Sequence, residues 1–101
     1  MPEMVIRAKF PQPVDCGAVE KSWRARGYDC HDLNDPLGQK WNGFVHPTNE
    51  LVTVVEGKLD LDIGGKTCIA YPGEEVFISR NGLHSLRNIH NGRTRWMFGY
   101  D

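Results

Sequence analysis

The stretch from Gly38 to Gly57, GQKWNGFVHPTNELVTVVEG, is the part of the sequence that best indicates the fold. Residues 51–55 are apolar on both faces, which is typical of a strand that lies between a core and a second layer. Past Gly57 the apolar positions change from even to odd numbers, and a one-residue shift turns side chains to the other face of a strand. Glu56-Gly57 is therefore predicted to be a bulge or corner, as a closing jelly roll requires.

Outward from this stretch, the sequence reads as short strands separated by turns. The turn signals recur about every ten residues, and this spacing is typical of an all-β sandwich or barrel. They are Asp35-Pro36-Leu37-Gly38, Gly64-Gly65, Tyr71-Pro72-Gly73 and Asn91-Gly92, of which the last is the strongest hairpin signal. One short helix is expected near the N-terminus, from about Asp15, which can cap it, to Arg26, with Gly27 closing it.

Composition limits the kind of protein this is. The chain has 101 residues, 12 Lys+Arg against 13 Asp+Glu and a net charge of -1, so we expect one domain over residues 1–101. Near-neutral charge argues against a nucleic-acid or membrane-surface partner. No apolar stretch is long enough to span a bilayer, and the first residues lack the apolar centre of a secretory signal, so a cytoplasmic protein is expected. The three cysteines are widely spaced and indicate neither a disulfide framework nor a zinc knuckle.

Three side chains stand out as candidate ligands or catalytic groups: His46, Glu50 and His84. On a continuous strand His46 and Glu50 would lie about 13 Å apart, too far to hold one ion. Pro47-Thr48-Asn49 suits a tight reversal, which would place them on adjoining strands and facing the same side. His84 follows another turn, Asn81-Gly82. All three therefore flank turns, where barrel mouths carry functional groups.

The spacing of these residues resembles the first motif of the cupin superfamily, Gly-x5-His-x-His-x3,4-Glu-x6-Gly. Gly38, His46, Glu50 and Gly57 match its frame, and Phe44 stands where the first histidine is expected. The second motif reads Gly-x5-Pro-x-Gly-x2-His-x3-Asn. Three residues match its frame: Gly73, His84 and Asn88. Ser79 stands in place of the proline and Asn81 in place of the first glycine after it.

The resemblance covers about residues 38–88 and implies a cupin double-stranded β-helix, a jelly-roll barrel, with a short N-terminal helix. The ending Arg95-Trp96-Met97-Phe98-Gly99-Tyr100 is similar to that of small single-domain cupins of unsettled function. Cupins commonly hold a divalent metal with three histidines and a glutamate. Position by position, the resemblance supplies His46, Glu50 and His84 but no fourth ligand, a set that suits Zn, Fe, Mn or Ni without distinguishing them. The alternative is that these residues are hydrogen-bonded core residues.

Aromatic residues are the candidates for the wall of a pocket. Trp96, Phe98 and Tyr100 alternate with other residues and so share one face of a strand. Such residues can equally form plain core. The complete set of pocket candidates is Phe44, Trp41, Asn88, Trp96, Phe98 and Tyr100, although Asn88 also suits a role in fixing a strand end.

Three hypotheses about function follow. The first is a metal-dependent cupin that acts on a small molecule, as an oxygenase or isomerase if it is an enzyme. The second is a non-catalytic barrel that binds or senses a small ligand without metal, and the third is a purely structural barrel. No residue beyond the metal-ligand candidates stands out as a general acid or base, so the catalytic residues and the substrate are left open. A homodimer is expected because Val45, Leu51 and Val55 are apolar and predicted to point outward.

Overall fold

The structure is a computed structural model, and it describes residues 5–101. It consists of nine strands and one helix in this part of the chain. The elements are β1 (Val5–Ile6), α1 (Cys16–Ala25), β2 (His31–Asp35), β3 (Lys40–Phe44), β4 (Glu50–Glu56), β5 (Leu59–Ile63), β6 (Lys66–Ala70), β7 (Glu75–Ile78), β8 (His84–Asn88) and β9 (Thr94–Tyr100).

The strands form two sheets that face each other across one core. The larger sheet has the order β1-β7-β4-β9-β2 and the smaller one β3-β8-β5-β6, with antiparallel pairing between neighbouring strands. Apolar side chains of both sheets meet in the core, among them Val52 and Val54 from β4 and Leu59 and Leu61 from β5. This arrangement confirms the predicted all-β jelly-roll barrel with a short N-terminal helix.

Helix α1 packs on the outer face of the larger sheet. Asp15 caps it by accepting hydrogen bonds from the backbone N–H groups of Gly17 and Ala18, as the sequence predicts. Its two buried residues, Val19 and Trp23, lie against β4. No helix in residues 5–101 is long and apolar enough to cross a membrane.

The position of the helix corrects one sequence argument. Leu51 and Val55 do point away from the central core, but they are buried in the cluster that contains Val19 and Trp23. They are covered by this chain's own helix and are not available to a second subunit. Of the three residues that favoured a homodimer, only Val45 is exposed, so the homodimer stays a prediction with less support.

The predicted corner at Glu56-Gly57 is confirmed. An extra residue interrupts the pairing of β4 with β9 between Val54 and Glu56. Gly57 has a φ of +97°, and a Cβ at this position would collide with Thr94. Side chains alternate along β4, with Val54 in the central core and Val55 on the helix side, so both faces of the strand are buried.

Two turn predictions have different outcomes. Gly64-Gly65 forms a turn, as predicted, and joins β5 and β6, which pair as a hairpin. Asn91-Gly92 does not form the predicted hairpin, because β8 lies in the smaller sheet and β9 in the larger one. This turn instead carries the chain from one sheet to the other.

Candidate metal centre

A pocket of about 220 Å³ opens between the two sheets. It is mainly apolar, and its polar groups are two histidines, one glutamate and one tyrosine. The lining residues are Leu33, Trp41, Phe44, His46, Glu50, His84, Leu86, Trp96, Phe98 and Tyr100.

His46, Glu50 and His84 come together in this pocket. Each offers one nitrogen or oxygen atom, and these three atoms lie within 4.8 Å of one another. Glu50 Oε1 is 3.2 Å from His84 Nε2 and 3.8 Å from His46 Nε2. Atoms bound at about 2.1 Å to one ion lie roughly 3.0–3.5 Å apart when they are neighbours in its coordination sphere. The distance from Glu50 to His84 falls in this range, whereas His46 would have to move a few tenths of an ångström closer to Glu50 to share an ion with them.

The two first-motif residues reach the pocket from opposite sheets. Glu50 begins β4 in the larger sheet, whereas His46 lies in the loop that follows β3 of the smaller sheet. The expectation that a tight reversal would place them on adjoining strands is therefore wrong. Both side chains nevertheless point into the same space, because the loop crosses from one sheet to the other at the mouth of the barrel.

The second motif holds this loop in place. The backbone N–H of Asn81 donates a 2.7 Å hydrogen bond to the carbonyl of His46. Asn81 has a φ of +61°, a conformation that glycine and asparagine adopt more readily than other residues. Asparagine can therefore occupy the position of the motif glycine without losing the loop geometry.

A bulge in β3 brings two aromatic residues to the same wall. Trp41 pairs with Leu86 and Phe44 with His84, so three steps on β3 match two on β8. In a regular strand, residues three apart would point to opposite faces. Gly43, with a φ of +65°, supplies the extra residue, and its N–H donates to the Ser85 hydroxyl.

The orientation of His84 is set by the turn before it. Its Nδ1 lies 3.0 Å from the carbonyl of Gly82, and a carbonyl only accepts, so Nδ1 carries a proton. In the neutral ring Nε2 then offers a lone pair towards Glu50. Burial lowers the pKa of His84, but the Glu50 carboxylate and the Gly82 carbonyl raise it by more, and the net pKa lies above the usual value.

The surroundings of Glu50 indicate whether a metal ion fits this site. Its side chain is 4% exposed, and within residues 5–101 its Oε1 has no hydrogen-bond partner. His84 Nε2 lies 3.2 Å from it, and in the neutral ring, with the proton on Nδ1, this nitrogen has no hydrogen to donate. A buried carboxylate oxygen without a partner is costly unless a charge compensates it. A cation shared with the two histidines would satisfy this oxygen, so the residues present fit a metal.

Aromatic side chains surround the three candidate ligands. The Phe44 ring lies 5.8 Å from the His46 ring and nearly parallel to it, and 6.0 Å from the His84 ring. The Tyr100 hydroxyl is 3.4 Å from His46 Nε2. Burial, and then the charges of Glu50 and Asp29, raise the pKa of Tyr100 to about 12, so its hydroxyl keeps its proton near neutral pH.

Asp35 supports the pocket wall, a role that the sequence did not reveal. One of its carboxylate oxygens, Oδ2, accepts hydrogen bonds from Trp96 Nε1 at 2.8 Å and from Trp41 Nε1 at 3.0 Å. Asp35 is 4% exposed. From the sequence, Asp35 was interpreted only as the first residue of a turn. The one feature that could have indicated its role is that an acidic residue stands between segments that contain tryptophans.

Asn88 is the pocket candidate that the structure places elsewhere. It does not line the pocket, and its side chain ties together two loops. Nδ2 lies within hydrogen-bond distance of the carbonyls of Asp35, Pro36 and Gly92, and Oδ1 accepts from the Thr94 hydroxyl. Asn88 therefore fixes the end of β8, which is the alternative role that the sequence predicted for it.

Known proteins share both the sequence pattern and the fold. Among curated proteins, the polyketide synthase CurC of Streptomyces cyaneus is 28% identical in an alignment that covers 87% of this chain and 68% of that protein. Among solved structures, a cupin 2 domain-containing protein from Halorhodospira halophila has a TM-score of 0.68 at 15% identity. The match covers 73% of this chain and 52% of that one.

Oxalate oxidase in complex with the substrate analogue glycolate is also similar, with a TM-score of 0.67 at 19% identity over 74% of this chain and 42% of that one. The chain thus spans about half the length of these solved structures, and at such identities the likeness shows the fold alone. The family rests on a different match: residues 38–100 fit the model of the cupin domain family Cupin_2. That match spans more than half of the sequence and includes both motifs, and the chain belongs to the cupin family.

Proposed function

We propose that this protein holds one divalent transition metal through His46, Glu50 and His84 and acts on a small organic molecule in the pocket beside it. The observation that supports this most is the buried, unpartnered Oε1 of Glu50, which lies 3.2 Å from His84 Nε2 and 3.8 Å from His46 Nε2. Two histidines and one carboxylate accept Fe, Mn, Ni or Zn and leave coordination positions for a substrate.

A metal in this set would act as a Lewis acid that polarises an oxygen of the bound molecule. The residues around the metal would shape the pocket and control access to it. Glu50 and His84 are almost fully buried, whereas the His46 side chain is 29% exposed and marks the open side of the site. Apolar aromatic side chains would line the space for the bound molecule, and the Tyr100 hydroxyl beside His46 would serve as a proton donor.

The name of the Streptomyces cyaneus relative favours an oxygen-bearing substrate. That protein is named a polyketide synthase, and polyketides carry ketone and hydroxyl oxygens. Such oxygens are the groups that a Lewis acid polarises. The molecule that we propose for this pocket is therefore an organic compound with at least one oxygen that can reach the metal.

A second candidate function is a barrel that binds a small ligand without metal. One observation favours it: the raised pKa of His84. A protonated His84 would place a positive charge 3.2 Å from Glu50 Oε1 and compensate the carboxylate without an ion. The pocket would then bind its ligand through its walls alone.

Metal analysis of the purified protein separates these functions. After reconstitution with Fe(II), Mn(II), Ni(II) or Zn(II) and removal of excess metal, we expect close to one metal ion per chain. The variants Glu50→Gln and His84→Ala should lose it, because each removes one of only three ligands.

Two control variants should keep the metal. Glu56→Gln changes the exposed carboxylate at the other end of β4, and His90→Ala changes a histidine outside the pocket. Wild-type protein without metal after all four reconstitutions would contradict the proposed function and favour the metal-free barrel.

A further inference from the structure

The wall of the pocket is unusually rich in aromatic rings. Trp41 and Phe44 come from the smaller sheet, and Trp96, Phe98 and Tyr100 from the larger one. Neighbouring ring centroids lie 5.2 Å apart for Trp96 and Phe98 and 6.1 Å apart for Trp41 and Phe44. Because these rings line the pocket, a ligand ring can pair with them as they pair with one another, and aromatic pairs gain energy beyond the burial of apolar area. The wall therefore favours an aromatic ligand over an aliphatic one of the same size.

The two tryptophans offer no hydrogen-bond donor to a ligand. Both indole N–H groups are already bonded to Oδ2 of Asp35. The wall therefore selects a ligand by its shape and by its aromatic rings. Among the residues that line the pocket, the groups that can bind a polar atom of the ligand are the metal-ligand candidates and the Tyr100 hydroxyl. A ligand that fits has an apolar ring system with its polar atom at one end.

The size of the pocket limits the number of rings. A cavity of about 150 Å³ accommodates a benzene molecule, and this pocket measures about 220 Å³. It has room for one substituted ring or two fused rings.

The charge at the polar end favours an ionisable oxygen. A divalent cation with one carboxylate and two neutral imidazoles carries a net charge of about +1. A phenolate or enolate oxygen would neutralise that charge. We infer that the substrate is a one- or two-ring aromatic compound with a phenolic or enolic oxygen that binds the metal, an inference that rests on the proposed function.

Isothermal titration calorimetry on Zn(II)-loaded protein tests this with three probes of matched shape. The probes are 2-naphthol, its saturated analogue decahydro-2-naphthol, and naphthalene, which lacks the oxygen. We expect 2-naphthol to bind at least about tenfold more tightly than the saturated alcohol, because several ring contacts are lost together. We also expect 2-naphthol to bind at least about tenfold more tightly than naphthalene, because naphthalene has no oxygen that can bind the metal.

A pair of variants assigns the preference to the pocket wall. Phe44→Leu removes a wall ring and should weaken 2-naphthol binding about fivefold while leaving the saturated alcohol nearly unchanged. Phe77→Leu is the matched control, because Phe77 is an exposed aromatic residue on β7 that does not line the pocket. It should leave both affinities unchanged.

Two results would contradict the inference in distinguishable ways. Equal affinity for 2-naphthol and its saturated analogue, in protein that carries one Zn(II) per chain, would overturn the aromatic substrate class and leave the proposed metal site intact. Failure of Zn(II) to bind would contradict the proposed function, and with it the metal-bound oxygen inferred for the substrate.

Discussion

At the scale of single residues, Phe44 is the departure from the cupin pattern that affects the site most. It occupies the position of a motif histidine, and its ring packs against both His46 and His84. A phenyl ring offers no ligand atom, so at most three motif ligands are left. The ring instead lies beside the candidate metal ligands, against the rings of both histidines.

Phe44→His should restore the fourth ligand. Since the Phe44 ring already contacts both histidines, a histidine there would enter the same corner. We expect Zn(II) affinity to rise by more than about tenfold, because complete four-ligand zinc sites contribute about 10–16 kcal/mol in total. Competition with a chromophoric chelator measures the change.

Phe44→Leu is the control for this substitution, because it removes the ring without adding a ligand. Its Zn(II) affinity should stay near that of the wild type. An equal affinity in Phe44→His and Phe44→Leu would show that position 44 does not face the metal.

At the scale of elements, Asp35 joins strands of both sheets. It lies at the end of β2 and accepts hydrogen bonds from Trp96 on the neighbouring β9 and from Trp41 on β3 of the opposite sheet. Because one oxygen accepts both bonds, the two indoles are fixed relative to each other. The pocket wall therefore depends on a residue that does not itself line the pocket.

Asp35→Ala should lower the free energy of unfolding by about 2–4 kcal/mol, because it leaves two indole donors without their acceptor. Asp35→Asn should cost less than about 1.5 kcal/mol, since the amide oxygen can still accept both hydrogen bonds. Urea denaturation measures both values. Near-UV circular dichroism should show a loss of tryptophan signal in the alanine variant, and an alanine variant as stable as the wild type would contradict this role of Asp35.

The elements also show how far the sequence could predict the fold. Apolar alternation and turn residues predicted the strands, and Asp15 and Gly27 predicted the helix boundaries, because these signals are local. The β3 bulge could not be predicted, since the pairing of Trp41 with Leu86 and of Phe44 with His84 depends on a distant strand. The same limit explains the missed hairpin at Asn91-Gly92, where the turn residues are correct but the two strands belong to different sheets.

The candidate site shows the same division. Motif spacing predicted that His46, Glu50 and His84 belong together, and the structure places their ligand atoms within 4.8 Å of one another. Motif spacing did not predict which sheets carry these residues, because the loop from β3 to β4 crosses from one sheet to the other. The contact of Asp35 with two tryptophans was also beyond prediction, since it joins residues separated by 6 and 61 positions.

At the scale of the whole molecule, the candidate ligands connect the two sheets. Glu50 belongs to the larger sheet, whereas His84 belongs to the smaller one and His46 follows its β3 strand. A metal bound to all three would cross-link the sheets at the mouth of the barrel. Since the unfolded chain would not hold these side chains together, metal binding and folding stability should be linked.

Metal binding should therefore raise the unfolding temperature of the whole domain. At a free metal concentration 100 times the Kd, binding contributes about 2.7 kcal/mol, and in a domain of this size each kcal/mol shifts Tm by about 4–8 °C. We expect Zn(II) to raise Tm by about 10 °C or more in differential scanning calorimetry, and excess EDTA to reverse the shift. Glu50→Gln should abolish this effect and Glu56→Gln should retain it, because only Glu50 bridges the two histidines. A shift of equal size in both variants would mean that the ion stabilises the fold from a site other than the one between the sheets.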